Sequence, residues 1–244
     1  MIEICCGSYE DAYHAYLGGA KQVELNSALH LGGLTPSLAS LQLTKKNTGL
    51  TVVCMVRPRG AGFCYSSLEF EQMKEDAKIL LDHGADGIAF GCLTSDNKID
   101  IAKTKEMREL ISSYQKDSVF HRAFDCVSDP IESIEILIEL GIDRVLTSGL
   151  QQTAMLGKKL LKRLHKEYGK KIQILAGSGM NPSNVAAFIE ETGVINVHSS
   201  CKEWVLDPTT IGENVNYCYG PIGHENAYDR VSKDLVTKLM QVKK

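Results

Sequence analysis

The stretch Val119-Phe120-His121-Arg122-Ala123-Phe124-Asp125 decides the fold. A short apolar run that reads as a buried strand closes on a histidine, an arginine and a carboxylate. A charge buried without a partner is costly, so such a cluster is either held by mutual pairing or aimed at a ligand. Seven further β-rich runs accompany it, at Ile2 to Cys5, Gln22 to Leu25, Val52 to Val56, Gly87 to Phe90, Arg144 to Thr147, Ile172 to Leu175 and Val194 to His198, with the fifth strand taken as Val119 to Phe124.

Helical periodicity fills the gaps. Phe70, Met73, Ala77 and Leu80 or Leu81 recur at helical spacing within Leu68 to His83, and Gly84 ends that helix. Asp129-Pro130 reads as an N-cap with proline at N1 before Ile131 to Leu140, and Gly141 as the residue after the C-cap. Successive strand starts lie 20 to 35 residues apart, room for one strand, one helix and two loops. Eight alternating units in 244 residues predict an α/β fold, a single (β/α)8 TIM barrel spanning 1–244 as one domain. Asp229 to Met240 is the expected last helix. Long loops follow strand three (57–67) and strand eight (199–228), both on the face where barrels build their sites.

The net charge of -3 and the scattered Lys and Arg argue against a nucleic-acid partner or an acidic membrane. The N-terminus Met1-Ile2-Glu3-Ile4-Cys5-Cys6 shows neither a basic leader nor a long apolar run, so a cytoplasmic location is expected, with the eight cysteines reduced. No Cys-x-x-Cys pair is present, and any metal site must be assembled by the fold.

Strand parity places side chains alternately in the lumen and under the helical shell. Aliphatic residues claim the shell in strands one, two and eight (Ile2 and Ile4, Val23 and Leu25, Ile195 and Val197), leaving Glu3 and Cys5, Gln22, Glu24 and Asn26, and Asn196 and His198 inside. In strand five Phe120 and Phe124 suit the shell, sending His121 and Asp125 inward and Arg122 outward; in strand three Arg57 follows Val53 and Met55 inward. The lumen is thus expected to hold Glu3, Glu24, Arg57, His121, Asp125 and His198. Pairs such as Arg57 with Glu24 would let the cluster merely close the barrel; its position at the strand ends favours a site.

The residues leave two functions open. Glu3 and Glu24 offer a general base, His121 or His198 an acid or electrophile, and Arg57 or Arg59 an anchor for an anion. Gly177-Ser178-Gly179 after strand seven, with His198-Ser199 after strand eight, forms a candidate phosphate loop, though not a dinucleotide fingerprint; no nucleotide cofactor motif is present. That set suits an isomerase, epimerase or lyase acting on a small anionic or phosphorylated metabolite. Alternatively Cys5, Cys6 and Cys64, with His121 or His198, offer thiolate and imidazole to Cu(I) or Zn(II), although adjacent strand cysteines point to opposite faces. Cys54, Cys92 and Cys126 read as packing residues.

Several segments together carry a family resemblance: Glu3-Ile4-Cys5-Cys6, Gly32-Gly33-Leu34-Thr35-Pro36-Ser37, Arg57-Pro58-Arg59-Gly60, Phe63-Cys64-Tyr65-Ser66, Phe120 to Asp125, Gly177-Ser178-Gly179 and His198-Ser199-Ser200. Over nearly its whole length the chain resembles the CutC family, named for copper homeostasis. The resemblance implies a cytoplasmic barrel that forms a homo-oligomer and binds or traffics Cu(I), with Cys5, Cys6 and Cys64 as the matching ligands. Asn26 stands where many members carry a cysteine.

Overall fold

The computed structural model describes residues 1–242; the last two residues of the expected 1–244 domain lie outside it. Eight parallel strands close into a barrel in chain order. They are β1 (Ile2–Cys6), β2 (Gln22–Leu25), β3 (Thr51–Met55), β4 (Gly87–Phe90), β5 (Asp117–Phe120), β6 (Arg144–Thr147), β7 (Gln173–Ala176) and β8 (Val197–Ser199). Closure is made by β8 on β1, with Ile2 opposite Val197 and Glu3 opposite His198.

The surrounding helices are α1 (Tyr9–Leu17), α2 (Leu38–Asn47), α3 (Ser67–Asp82), α4 (Ile101–Ser113), α5 (Pro130–Glu139), α6 (Lys158–Tyr168), α7 (Val185–Thr192) and α8 (Lys233–Met240). Their starts follow from local chemistry. Ser66 caps α3 in a reciprocal capping box with Glu69, and the Asp129 side chain accepts from the Ile131 and Glu132 amides ahead of α5. Such caps satisfy amides that the first helical turn leaves without partners. The expected stripe Phe70, Met73, Ala77, Leu80 and Leu81 is buried.

Two apolar clusters result. The larger fills the space between strands and helices, with Phe90 edge-on to Phe120 at 6.0 Å between ring centroids. The smaller lies inside the barrel: Val53, Met55, Ala89, Val119, Leu146 and Leu175, contributed by β3 to β7. The lumen is therefore divided. Its β3–β7 side is aliphatic like an ordinary barrel apart from Arg144 at the start of β6, and the other polar residues gather on β1, β2 and β8.

Three expectations need correction. Strand five ends at Phe120, because the His121 ring accepts the Ala123 amide and turns the chain into a 3-10 turn over Arg122–Cys126. Phe124 is still buried, but from that turn. Strand eight begins at Val197, so Ile195 is 45% exposed instead of lying under the shell. The loop 199–228 contains structure of its own, since β9 (Lys202–Leu206) pairs antiparallel with β10 (Ala227–Val231). That pairing takes up Asp229 to Val231, and the last helix starts only at Lys233.

Phe120 is fully enclosed, and truncating such a ring leaves a cavity that neighbours fill only in part. Phe120→Ala is expected to lower stability by about 3–5 kcal/mol, read as a lower urea midpoint with little change in slope.

Candidate functional site

The carboxyl ends of the strands open into a cavity of about 1310 Å³, roofed by β9, β10 and the segment between them. Its polar floor is assembled by strand parity. Glu3 and Cys5 face inward from β1, Glu24 from β2 and His198 from β8. The His198 Nδ1 lies 2.8 Å from Glu3 Oε1. Gln22 Nε2 donates to the other Glu3 oxygen at 2.5 Å, and Arg144 Nη1 lies 3.8 Å from that same oxygen. With Nδ1 committed to Glu3, the Nε2 of His198 is turned to Glu24 Oε2 at 3.8 Å. Cys5 Sγ sits 3.9 Å from Glu24 Oε2 and receives the Asn26 amide at 3.7 Å. Donor atoms of Cys5, Glu24 and His198 all fall within 4.8 Å of one another.

Electrostatics follow from this crowding. Burial alone would push the His198 pKa down, but Glu24, Cys5 and Glu3 surround the ring and hold it well above its usual value. Burial also opposes charge on Glu3, yet the His198 hydrogen bond keeps its carboxyl below the ordinary range. Glu24 goes the other way, raised by burial and by the neighbouring Glu3 charge, and one of its oxygens has no partner among the described residues. Burial likewise raises the Cys5 thiol. The floor thus holds a proton among three anionic or potentially anionic groups, and a cation can take that proton's place.

The other expected residues are distributed differently. Arg57 does not pair with Glu24. Its Nη1 donates to the carbonyls of Leu31 (2.8 Å) and Gly33 (3.0 Å), and Nη2 to that of Ala61 (2.6 Å), so it pins two loops at the mouth. Asp125 borders the cavity but does not join Glu3 and Glu24. It accepts from Thr147 Oγ1 (2.6 Å) and from the Ser148 (2.9 Å) and Leu150 (3.2 Å) amides. Arg122, expected under the shell, instead donates to Asp125 (2.8 Å) and Ser148 Oγ (3.0 Å) at the mouth. Arg59 lies outside the cavity, ion-paired with Glu69 and bonded to loop carbonyls.

Of the candidate phosphate loop, Ser178 and Gly179 line the cavity, both at positive φ. Gly177 answers a packing need, since a Cβ there would meet Leu146 Cδ1 at 2.6 Å. Ser199 is buried and donates to the Met180 carbonyl at 2.6 Å. Cys6 is fully buried and points away from Cys5 into the outer core, and Cys64 is exposed on the loop after β3; neither reaches the floor. Cys126, expected to pack, is exposed and borders the cavity. Sequence reasoning missed Arg144 beneath Glu3 and the roof residues Trp204, Tyr217 and Tyr219. For Arg144 the signal was a charge opening an otherwise apolar strand.

Fold and floor define a (β/α)8 barrel protein with a Cys–Glu–His cluster in its mouth, the glutamate and histidine buried and the cysteine half-buried. The CutC family model matches residues 1–203, and the chain belongs to the CutC family. A family protein CutC from Treponema denticola is 44% identical over 241 residues, covering 98% of this chain and 97% of that one. The human copper homeostasis protein cutC homolog is 40% identical over 202 residues, 83% of this chain and 73% of its own length. The solved CutC structure from Streptococcus agalactiae superposes with a TM-score of 0.76 at 31% identity, covering 82% of this chain and 98% of that one. Among the described residues, no helix is long and apolar enough to cross a membrane.

Across the cavity mouth, burial and then the Arg57 charge push the pKa of His121 from 6.5 down to about 3. The unfolded chain therefore takes up this proton first. Stability contributed by the neutral ring is complete above pH 6.5 and falls as pH drops toward 3, by up to about 1.4 kcal/mol per pH unit. Urea unfolding at stepped pH should show a steeper acid loss for wild type than for His121→Phe. Parallel curves would contradict the assignment.

Proposed function

We propose that this protein binds Cu(I) as cargo at Cys5 and His198, with Glu24 alongside. One observation carries the reading: a thiol, an imidazole and a carboxylate converge within 4.8 Å on the cavity floor. Soft thiolate and imidazole donors suit Cu(I), which accepts a low coordination number. The Glu3–His198 hydrogen bond fits as well, since metal-binding histidines commonly donate their second ring nitrogen to a carboxylate that fixes tautomer and orientation. Copper stands in the name of the human relative. The eight free cysteines agree with a reducing cytoplasmic setting.

A second reading is favoured by the size of the cavity, whose 1310 Å³ far exceeds the room an ion needs. That space suits an enzyme of isomerase, epimerase or lyase type working on a small anionic metabolite, with Glu24 as base.

Anaerobic competition against a colorimetric Cu(I) chelator tests the first reading. Wild type should bind one ion, and Cys5→Ser and His198→Ala should each weaken binding at least about 100-fold, whereas Cys6→Ser and Cys64→Ser should leave it unchanged. Glu3→Gln should cost about 10–100-fold, the usual effect of losing a residue that orients a ligand. Affinity should rise with pH, because the ion displaces protons from Cys5 and His198. Full affinity in Cys5→Ser would sink the proposed ligand set.

A further inference from the structure

His121 has a defined tautomer and no outlet for it. The Ala123 amide donates to its Nδ1 at 3.1 Å, so Nδ1 carries the lone pair and the single proton of the neutral ring sits on Nε2. That Nε2–H is fully buried and has no hydrogen-bond partner among the described residues. The ring is seated with care. Phe63 lies against it at 5.1 Å between centroids, and a Cβ on Gly91 would come within 2.6 Å of the imidazole. Residue 121 nevertheless borders the cavity. A buried donor left unsatisfied is unfavourable, and native structures keep one chiefly where something else completes it.

The surroundings say what completes it. Arg57 and Arg122 both oppose a second proton on the ring, which means that the potential there is positive. On the other side of the floor Glu3 and Glu24 already face the His198 ring, and Glu3 the Arg144 guanidinium, which leaves no unmatched cation there for a second anionic group. A molecule filling the space between is therefore anionic at the His121 end and uncharged at the other. The cavity is large enough, since small-molecule sites occupy roughly 300–1,000 Å³.

We infer that the barrel mouth binds a small organic anion with its charge at one end, a carboxylate or phosphate oxygen accepting the Nε2–H of His121. His121 is thus a binding residue for an organic ligand and takes no part in the Cys5–Glu24–His198 ion site. The inference shares the cavity with the second functional reading but asserts binding alone, so absence of turnover does not touch it. Nor does failure of the copper titration.

The test uses metal-free wild-type protein with a chelator present and follows the His121 imidazole by two-dimensional 15N NMR at pH 7. The ring should first appear as the neutral Nε2–H form. Glycerate and glycerol 3-phosphate are the probes. Glycerol, uncharged, and malate, charged at both ends, are the comparisons. A saturable displacement of the Nε2 resonance by either probe, with at least tenfold weaker response to both comparisons, supports the inference. The matching thermal stabilisation should vanish in His121→Phe, and the wild-type NMR result stands by itself if that variant does not fold. A ring that is charged at pH 7, no displacement by either probe, or an equal response to glycerol overturns it.

Discussion

The hydrogen bond between Glu3 and His198 is the contact on which both the barrel and its site depend. These residues face each other across the β1–β8 seam, the one place where the ends of the barrel sheet meet. Two ionisable groups taken out of water there would destabilise the seam if either lacked its partner. Gln22 and Arg144 complete the surroundings of Glu3, so its carboxylate is served on both oxygens. The same bond turns His198 so that its remaining nitrogen looks onto the cavity floor. Closure of the fold and orientation of the site are one interaction.

The division of the lumen makes that interaction effective. Val53, Met55, Ala89, Val119, Leu146 and Leu175 fill the β3–β7 side with close-packed aliphatics. Beside such a wall the local dielectric is low, and charges on β1, β2 and β8 act on each other more strongly than they would in water. The opposite shifts of Glu3 and Glu24 express this: two carboxylates on neighbouring strands are separated by which of them holds the histidine. The packing even reaches the loop after β7, where Leu146 requires Gly177.

Strand parity found Glu3, Glu24 and His198 because each alternates with an aliphatic residue that has only one comfortable side. It also separated Cys5 from Cys6. The same reasoning failed where the strand itself had stopped. Extrapolating parity past Phe120 sent Asp125 to the lumen beside Glu3 and Glu24 and Arg122 to the shell, whereas the His121 ring caps a turn that brings both to the cavity mouth, where they pair with each other. Arg57 could not be paired correctly from sequence, because its partners are backbone carbonyls of two loops, which leave no residue signature. The β9–β10 pair was hidden for a related reason. Its strands are short and half exposed, and Lys202–Leu206 lacks the clean alternation that marks a strand with one buried face.

Floor and roof of the cavity also differ in their standing within the family. Cys5, Glu24 and His198, and likewise His121, lie within the span that the CutC family model matches, which ends at residue 203. Trp204, Tyr217 and Tyr219, which wall the cavity from above, lie beyond it. Aromatic side chains on a hairpin outside the barrel set how much space stands over the floor and which shapes fit there, without supplying a single donor to the Cys–Glu–His cluster. Floor and roof are thereby carried by separate parts of the chain, the first on strands that meet at the barrel seam and the second on the segment that follows β8.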